Sequence, residues 1–372
     1  MPLVDVSVAV CPMDSPTDVT ALAGLLDKGG ISAADVVAVI GKTEGTGLSR
    51  DIGREAAHHA IVEALAQRLA SSEDVEDRVS IILSGGTPGV LSPHVTVISR
   101  TYREPGRGDV PGVGLTVGRA RSVPIRPEEV GRVGQIKKVA DAVATAQVDA
   151  GIASAADIHL VMVKGPSITR AGMLDARSRG ADTVTTDLSI GPEGAMCYAN
   201  DGAALGVALA LGEVSADRIA DDVVRRDWDL YSPVAMTSSG GEKTNADVVL
   251  LGNAPSLSRF RVGHSVLRDF LDAAGVKEAL RNAGLEFECC PSDLSRIVQV
   301  FAKFVIPDSD LLRGFRILLA DDAQGFATAK AVGGAVVGSV IGRPTVWVSG
   351  GERNSHQGPP GGTPVAAIVA TR

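Results

Sequence analysis

Residues 235–245 of this 372-residue chain read AMTSSGGEKTN, an apolar run that ends on two serines, two glycines and a glutamate. A similar ending occurs earlier, in IILSGGTPG at 81–89, and later, in TVWVSGGERN at 345–354. Three strands that each end in Ser-Gly indicate an internal repeat, and a repeat determines the fold of the whole chain.

Each Ser-Gly strand is preceded by another apolar strand that ends on a lysine. These lysines are Lys42 in VVAVIGKTEG, Lys164 in IHLVMVKGPS and Lys303 in RIVQVFAKF. A helical segment separates each lysine from its serine, and further apolar strands open and close each unit. We therefore predict a mixed α/β protein of three similar units, 1–104, 112–252 and 258–372, whose strands are covered on both faces.

The borders of these units are predicted from local composition. Linkers are expected at 103–112 and near 252–264, where Pro, Gly, Ser and Arg cluster. The third unit is expected to open with a short strand in EFECC, residues 286–290. The helical segments carry Arg54 in the first turn, Asn200 at the start and Lys330 near the start, one residue in each unit.

Composition excludes several classes of function. The net charge of −8 disfavours a nucleic-acid or anionic-membrane surface, because both require a basic face. The apolar run near AALGVALALG is too short to span a bilayer, and MPLVDVSVAV lacks the basic start of a signal peptide. Four cysteines show no metal or disulfide spacing and are expected as reduced thiols: Cys11, Cys197, Cys289 and Cys290. We expect a soluble cytoplasmic protein.

Two other possible motifs, a phosphate-binding loop and a histidine metal site, lack residues that they require. GKT at 41–43 resembles the end of a phosphate-binding loop, but Val36 stands where its first glycine is needed. The histidines show no metal-ligand spacing, and His58 and His59 on the first helix are expected as surface or packing residues.

The lysine and serine at neighbouring strand ends form a possible base and nucleophile. Ordinary strand caps and turns explain any one such pair, but three pairs in the same order favour a shared site. A lysine acts as a base only when neutral, and burial beside other cations lowers its pKa. The glycines allow backbone N–H groups to approach a ligand, as in an oxyanion hole.

The middle copy leaves two candidate nucleophiles. The Ser-Gly-Gly pattern selects Ser239, whereas a Ser-x-Gly pattern selects Ser238. The second pattern also fits the other two copies, with Ser84 before Gly86 and Ser349 before Gly351. We favour Ser238 as the nucleophile, with the backbone N–H of Ser239 facing the substrate.

Six stretches together resemble a known family. They are GKTEG, LSGGTPGVLSPH, VTTD, ALGVALALGEV, FAK and SGG…HQGPPGG…PVA. The set is similar to the cyclic amide hydrolases, meaning cyanuric acid amidohydrolase and barbiturase, along almost the whole chain. The resemblance implies a Toblerone fold of three units about a pseudo-threefold axis, a homotetramer, and hydrolytic opening of a flat cyclic imide.

The resemblance also implies roles for individual residues. Lys164 corresponds to the base and Ser238 to the nucleophile, in agreement with the Ser-x-Gly pattern and Glu242 after it. The remaining predicted substrate-binding residues are Lys42, Arg54, Ser84, Gly85, Asn200, Ser239, Lys303, Lys330, Ser349 and Gly350. The family has an arginine at each of the positions of Arg54, Asn200 and Lys330.

Departures from the family pattern shape the functional prediction. Asn200 and Lys330 replace two arginines, and Val305 stands where many members have a glutamate for a structural cation. We therefore predict neither a metal nor another cofactor. The predicted reaction is cyanuric acid opening to carboxybiuret and biuret. The replacements at Asn200 and Lys330 favour a ring other than cyanuric acid, so the alternatives are barbiturase or another substituted triazine or pyrimidine hydrolase. A non-catalytic binder of a planar ligand is a further alternative.

Overall fold

The structure is a computed structural model that describes residues 2–47, 51–69, 72–189, 191–288, 291–319, 321 and 325–371. The strands are β1 Leu3–Pro12, β2 Val36–Lys42, β3 Ser80–Ser84, β4 His94–Arg103, β5 Gly112–Arg121, β6 Ile158–Pro166, β7 Ala235–Gly240, β8 Asp247–Ser256, β9 Phe260–Leu267, β10 Ile297–Ile306, β11 Leu311–Leu312, β12 Phe315–Arg316, β13 Trp347–Arg353 and β14 Thr363–Ala370.

The helices alternate with these strands along the chain. The α-helices are α1 Thr20–Asp27, α2 Ile52–Ala66, α3 Ser72–Arg78, α4 Val133–Asp149, α5 Arg170–Ser178, α6 Ala195–Ala210, α7 Ala273–Asn282, α8 Pro291–Arg296 and α9 Gly325–Ile341. Short 3₁₀ turns lie at Ala33–Asp35, Pro127–Glu129, Ala155–Asp157 and Ala216–Arg218. In the part of the chain that the structure describes, no helix is long and apolar enough to cross a bilayer.

Three four-stranded sheets have the same strand order. From one edge to the other the orders are β3-β2-β4-β1, β7-β6-β8-β5 and β13-β10-β14-β9. In each sheet the lysine strand and the serine strand are parallel neighbours, and the other pairings are antiparallel. One parallel bridge between Val4 and Ser256 joins the first two sheets. The predicted mixed α/β fold of three similar units is confirmed.

The three sheets face one another across a common apolar core. This central core combines residues from all three, for example Ile40, Met162 and Phe301. The opposite faces pack on helices, where three further cores form. Each strand therefore buries both of its faces, as its continuous apolar sequence predicted. Such strands place polar groups at their ends with little freedom to move.

Two expectations about the third unit were wrong. The linker expected near 252–264 is instead the end of β8 and the start of β9, separated by residues 257–259. The third sheet opens with β9, whereas residues 286–288 of the expected strand form no strand, and Cys289 and Cys290 lie outside the described residues. The connection expected at 103–112 does separate β4 from β5. The unit borders themselves remain a prediction.

Candidate active site

The three lysines and three serines lie side by side at the same end of their sheets. The pairing of parallel strands places Lys42 beside Ser84, Lys164 beside Ser238 and Lys303 beside Ser349. Side chains two positions earlier on each strand belong to the central core. Because strand side chains alternate between faces, all six polar groups extend from the inner faces toward the region where the sheets meet.

The same alternation separates the two candidate nucleophiles. Met236 packs in the central core and Ala235 in the core beneath the helices, so Ser238 shares the inner face and Ser239 the outer face. The Oγ atoms of both serines are buried and have no hydrogen-bond partner among the described residues, so the face of the strand is what separates them. The geometry thus gives Ser238 the position equivalent to Ser84 and Ser349.

Lys164 is a buried amine whose exposed fraction is 2%. Its Nζ donates to the backbone oxygen of Ser239 at 3.1 Å and lies 3.4 Å from Glu242 Oε1. Burial, together with the neighbouring cation of Arg54, lowers the pKa of Lys164 to about 7, while Glu242 opposes the shift. A substantial fraction of this amine is therefore neutral at pH 7 and able to accept a proton.

The lysines of the first and third units have different partners. Lys42 Nζ donates to Ser84 Oγ at 3.1 Å and to the oxygen of Gly85 at 2.7 Å. Burial, with nearby cations, lowers the pKa of Lys42 well below its usual value. Lys303 Nζ instead pairs with Glu352 Oε1 at 2.9 Å and donates to the Thr237 oxygen at 3.0 Å. Lys303 therefore contacts a carboxylate and a backbone carbonyl rather than the serine of its own unit.

One helix residue from each unit reaches toward the next unit. Arg54 of α2 donates to Glu242 at 3.0 Å, and Asn200 of α6 donates to Glu352 at 2.6 Å. Lys330 of α9 lies against Gly86, where an added Cβ would be 2.9 Å from Nζ. Asn200 and Lys330 are both the sixth residue of their helices, so Asn200 lies further into α6 than expected. These contacts close a ring of three units around the site.

Thr237 fixes the strand position immediately before Ser238. Its N–H donates to Gln357 Oε1 at 2.6 Å, its Oγ1 donates to the Asn200 oxygen at 2.8 Å, and its oxygen accepts from Lys303. Three elements from two units therefore hold the backbone that carries the candidate nucleophile Ser238. Such support keeps a reactive group in one geometry.

The residues here do not fit the structural cation of the family. Val305 is buried and apolar, and the carboxylate of Glu352 is taken by Lys303 and Asn200. The loop oxygens of Arg353 and Asn354 accept hydrogen bonds from the buried Arg225. Among the described residues, no group of three or more His, Cys, Asp or Glu could hold a metal.

Arg225 instead ties this loop to the second unit. Its guanidinium pairs with Asp201 at 2.5 Å, and Asp201 also accepts from Ser355 and from the His356 N–H at 3.1 Å. The guanidinium of Arg225 and the carboxylate of Asp201 therefore lie at the centre of the contacts that hold this loop. His356 and Gln357 at the start of HQGPPGG are accordingly buried supports of the site, and Gln357 reaches Thr237.

The structure gathers the predicted site residues around one small cavity. All of them line it except Lys42, which lies behind Ser84 and Gly85. The sequence reasoning missed Gly47, Met196, Phe326 and Glu352, which also line it. Met196 and Phe326 precede Asn200 and Lys330 by four residues, a helical spacing that could have identified them. Glu352 follows Ser-Gly-Gly, as Glu242 does in the middle unit.

Comparison with known proteins identifies the family. The sequence profile described as amidohydrolase ring-opening protein matches residues 7–370. A cyclic amide hydrolase of Pseudofrankia inefficax is 52% identical over 367 residues, covering 98% of this chain and 94% of the relative. A cyanuric acid amidohydrolase of Bradyrhizobium diazoefficiens is 42% identical over 358 residues, covering 95% of each chain.

A further relative and a solved structure agree with this assignment. Barbiturase 1 of a Nocardioides species is 42% identical over 373 residues, covering 98% of each chain. A solved structure of cyanuric acid hydrolase superposes with a TM-score of 0.92 at 39% identity, covering 99% of this chain and 100% of that one. The fold is therefore of the Toblerone type. The chain belongs to the ring-opening amidohydrolase family and is a hydrolase that acts on cyclic amides.

Proposed function

We propose that this protein opens a cyanuric acid-type ring with Ser238 as nucleophile and Lys164 as general base. The observation that carries the proposal is the pairing of a buried lysine, whose pKa is lowered to about 7, with an unpartnered serine hydroxyl at the neighbouring strand end. Both groups face a cavity that four further cationic side chains surround or support: Arg54, Lys42, Lys303 and Lys330.

The charge of the cavity supports an anionic planar substrate. Two carboxylates, Glu242 and Glu352, offset part of the positive charge, and cations remain in excess. Burial lowers the pKa of Lys330 to about 8 while Glu352 opposes the shift, so this side chain stays largely charged at pH 7. Buried cations of this kind stabilise the negative charge that develops on ring oxygens.

The reaction follows from the atoms in place. Neutral Lys164 takes the proton of Ser238, and Oγ bonds to a ring carbonyl carbon. The ring C–N bond then breaks, the nitrogen takes the proton from Lys164, and an acyl-enzyme remains. Water gives a proton to Lys164 and attacks the acyl carbon, after which Oγ recovers its proton. The open-chain acid leaves, and with cyanuric acid it would lose CO₂ to give biuret.

The alternative substrate is barbituric acid, which would yield ureidomalonate. Relatives do not choose between the two, since a cyanuric acid amidohydrolase and a barbiturase are each 42% identical to this chain. Asn200 distinguishes this cavity, because its buried Oδ1 has no partner among the described residues. An amide oxygen accepts a ring N–H, which an arginine cannot do. Cyanuric acid offers an N–H between every pair of carbonyls and suits this acceptor.

Turnover assays over cyanuric acid, barbituric acid and N-substituted analogues test the proposal. We expect the highest kcat/KM with cyanuric acid. Replacing Lys164 by Ala should lower kcat by about 10²–10⁴-fold, the usual contribution of a general base. Replacing Ser238 by Ala should lower it by about 10³-fold or more, and Ser239→Ala is the matched control. Full activity in either of the first two variants would refute the assigned roles.

A further inference from the structure

A second cavity meets the catalytic lysine from the side away from the three serines. It encloses about 690 Å³, including its mouth, between the first two units. Lys164 and Arg54 line both this cavity and the substrate cavity, whereas Glu242 lines only this one. Its other polar lining residues are Glu55, His58, His59, Glu76 and Lys243. We refer to it as the rear cavity.

The rear cavity connects a buried group with exposed ones. The Lys164 side chain is 3% exposed, Glu242 is 31% exposed, and Glu76 at the outer part is 61% exposed. His58 is 27% exposed, similar to Glu242, and contacts Glu76 at 3.2 Å. The polar groups of this cavity therefore range from the buried Lys164 to the largely exposed Glu76.

The three lysines differ in this respect. Glu352, which pairs with Lys303, is only 3% exposed, and Lys42 contacts Ser84 and the Gly85 oxygen. Among the described residues, Lys164 alone of the three lysines lines the rear cavity. A solvent-connected carboxylate thus accompanies the one lysine that, in the proposed reaction, must first lose its own proton to solvent before it can act as the base.

We propose that Glu242 passes protons between Lys164 and solvent through the rear cavity. The inference rests on the proposed function, because it requires Lys164 to act as the base. The protonated amine transfers H⁺ to a Glu242 oxygen, and the carboxylic acid releases it to water in the cavity. The return path delivers a proton by the same bonds in reverse. Substrate that fills the front cavity would otherwise seal Lys164 from solvent during turnover.

The charges around Glu242 support rapid release rather than storage of the proton. Burial raises the pKa of Glu242, but Lys164 and Arg54 outweigh this effect and hold it below its usual value. A carboxylic acid with a low pKa loses its proton quickly to water. Glu242 acts through Lys164 and is therefore a proton-relay residue rather than a group that touches the ring.

Glu242→Gln tests the relay because the amide keeps the shape and can still accept from Arg54. We expect kcat to fall roughly tenfold with little change in KM, as for loss of an assisting proton-transfer group. Small carboxylate or imidazole buffers should restore kcat in a concentration-dependent way, while sodium chloride of equal ionic strength should not. A kcat equal to the wild type, or a loss that no buffer restores, would overturn the relay.

A second variant tests the cavity without altering Glu242. His58→Trp fills the rear cavity from α2 and should lower kcat. In the double variant that also carries Glu242→Gln, added buffers should no longer restore kcat. Glu63→Trp, on the same helix outside the rear cavity, is the matched control. Unchanged buffer rescue in the double variant would contradict the route. If the wild type turns over no cyclic imide, the proposed function fails and the relay with it. If the wild type turns over a cyclic imide but Glu242→Gln either matches it or loses activity that no buffer restores, the relay alone is refuted.

Discussion

Replacing Lys164 by Met should abolish activity and yet make the protein more stable at neutral pH. Burial lowers the folded-state pKa of Lys164 from 10.5 to about 7. Because the folded-state value lies below the unfolded one, stability is lost as the pH falls from about 10.5 toward about 7. Below that point the loss is complete. At pH 7 this penalty is about 4–5 kcal/mol.

Two interactions that are lost in Lys164→Met offset part of the gain in stability. The variant removes the hydrogen bond to the Ser239 oxygen, about 1 kcal/mol, and one of the partners of Glu242, about 1–2 kcal/mol. Glu242 keeps Arg54 at 3.0 Å. The expected net stabilisation at pH 7 is therefore about 1–3 kcal/mol, and it should shrink by about 3 kcal/mol by pH 9.5, where the wild-type amine is already neutral when folded.

Thermal melts of wild type and Lys164→Met at pH 7 and pH 9.5 measure this effect. We expect the variant to melt at the higher temperature at pH 7 and the difference to vanish or reverse at pH 9.5. Ser238→Ala is the matched control, because it removes the nucleophile without a titrating group. A variant that is destabilised equally at both pH values would refute the view that Lys164 is held neutral at a cost in stability.

Three other outcomes are expected. The value of kcat/KM, corrected for substrate ionisation, should rise with pH through about 7 as Lys164 loses its proton, and a flat profile from acid to neutral pH would contradict this. Arg225→Met leaves Asp201 without its cation and should lower the free energy of unfolding by about 3–5 kcal/mol, while a chelator leaves the wild-type melting temperature unchanged. A decrease in the melting temperature of the wild type on adding a chelator would indicate a bound metal. Gly350→Ala should reduce both stability and activity, because φ is +120° and the new Cβ would lie 1.8 Å from the Phe304 oxygen. In Gly361→Ala the new Cβ meets open space, so thermal melts and turnover assays should show a smaller effect.

The sequence predicted the repeating strands and the positions of Lys164 and Ser238 well, for a physical reason. Strands buried on both faces are continuous apolar runs, so a lysine or serine at their ends stands out. The two-residue period then assigns Ser238 and Ser239 to opposite faces. The start of the third unit was missed, because the Pro, Ser and Arg near 252–264 indicated a linker where only a three-residue turn separates β8 from β9.

The supporting contacts were harder to predict than the reacting groups. Arg225 has a left-handed backbone, with φ of +64°, and reaches carbonyls more than 120 residues away. Its pairing with Asp201 depends on how two units pack against each other, and no local sequence pattern predicts that packing. The solvent exposure of Glu242, compared with the burial of Glu352, likewise follows from packing between units. These differences distinguish otherwise similar copies of the repeat.

Trapping the acyl-enzyme tests the central claim most directly. Acid quenching during turnover of cyanuric acid, followed by intact-mass and peptide mass spectrometry, would locate the covalent intermediate. We predict an adduct of the opened ring on Ser238 that is still present in Ser239→Ala and absent from Ser238→Ala. An adduct on Ser239, or undiminished turnover by Ser238→Ala, would contradict the claim that Lys164 and Ser238 open the ring.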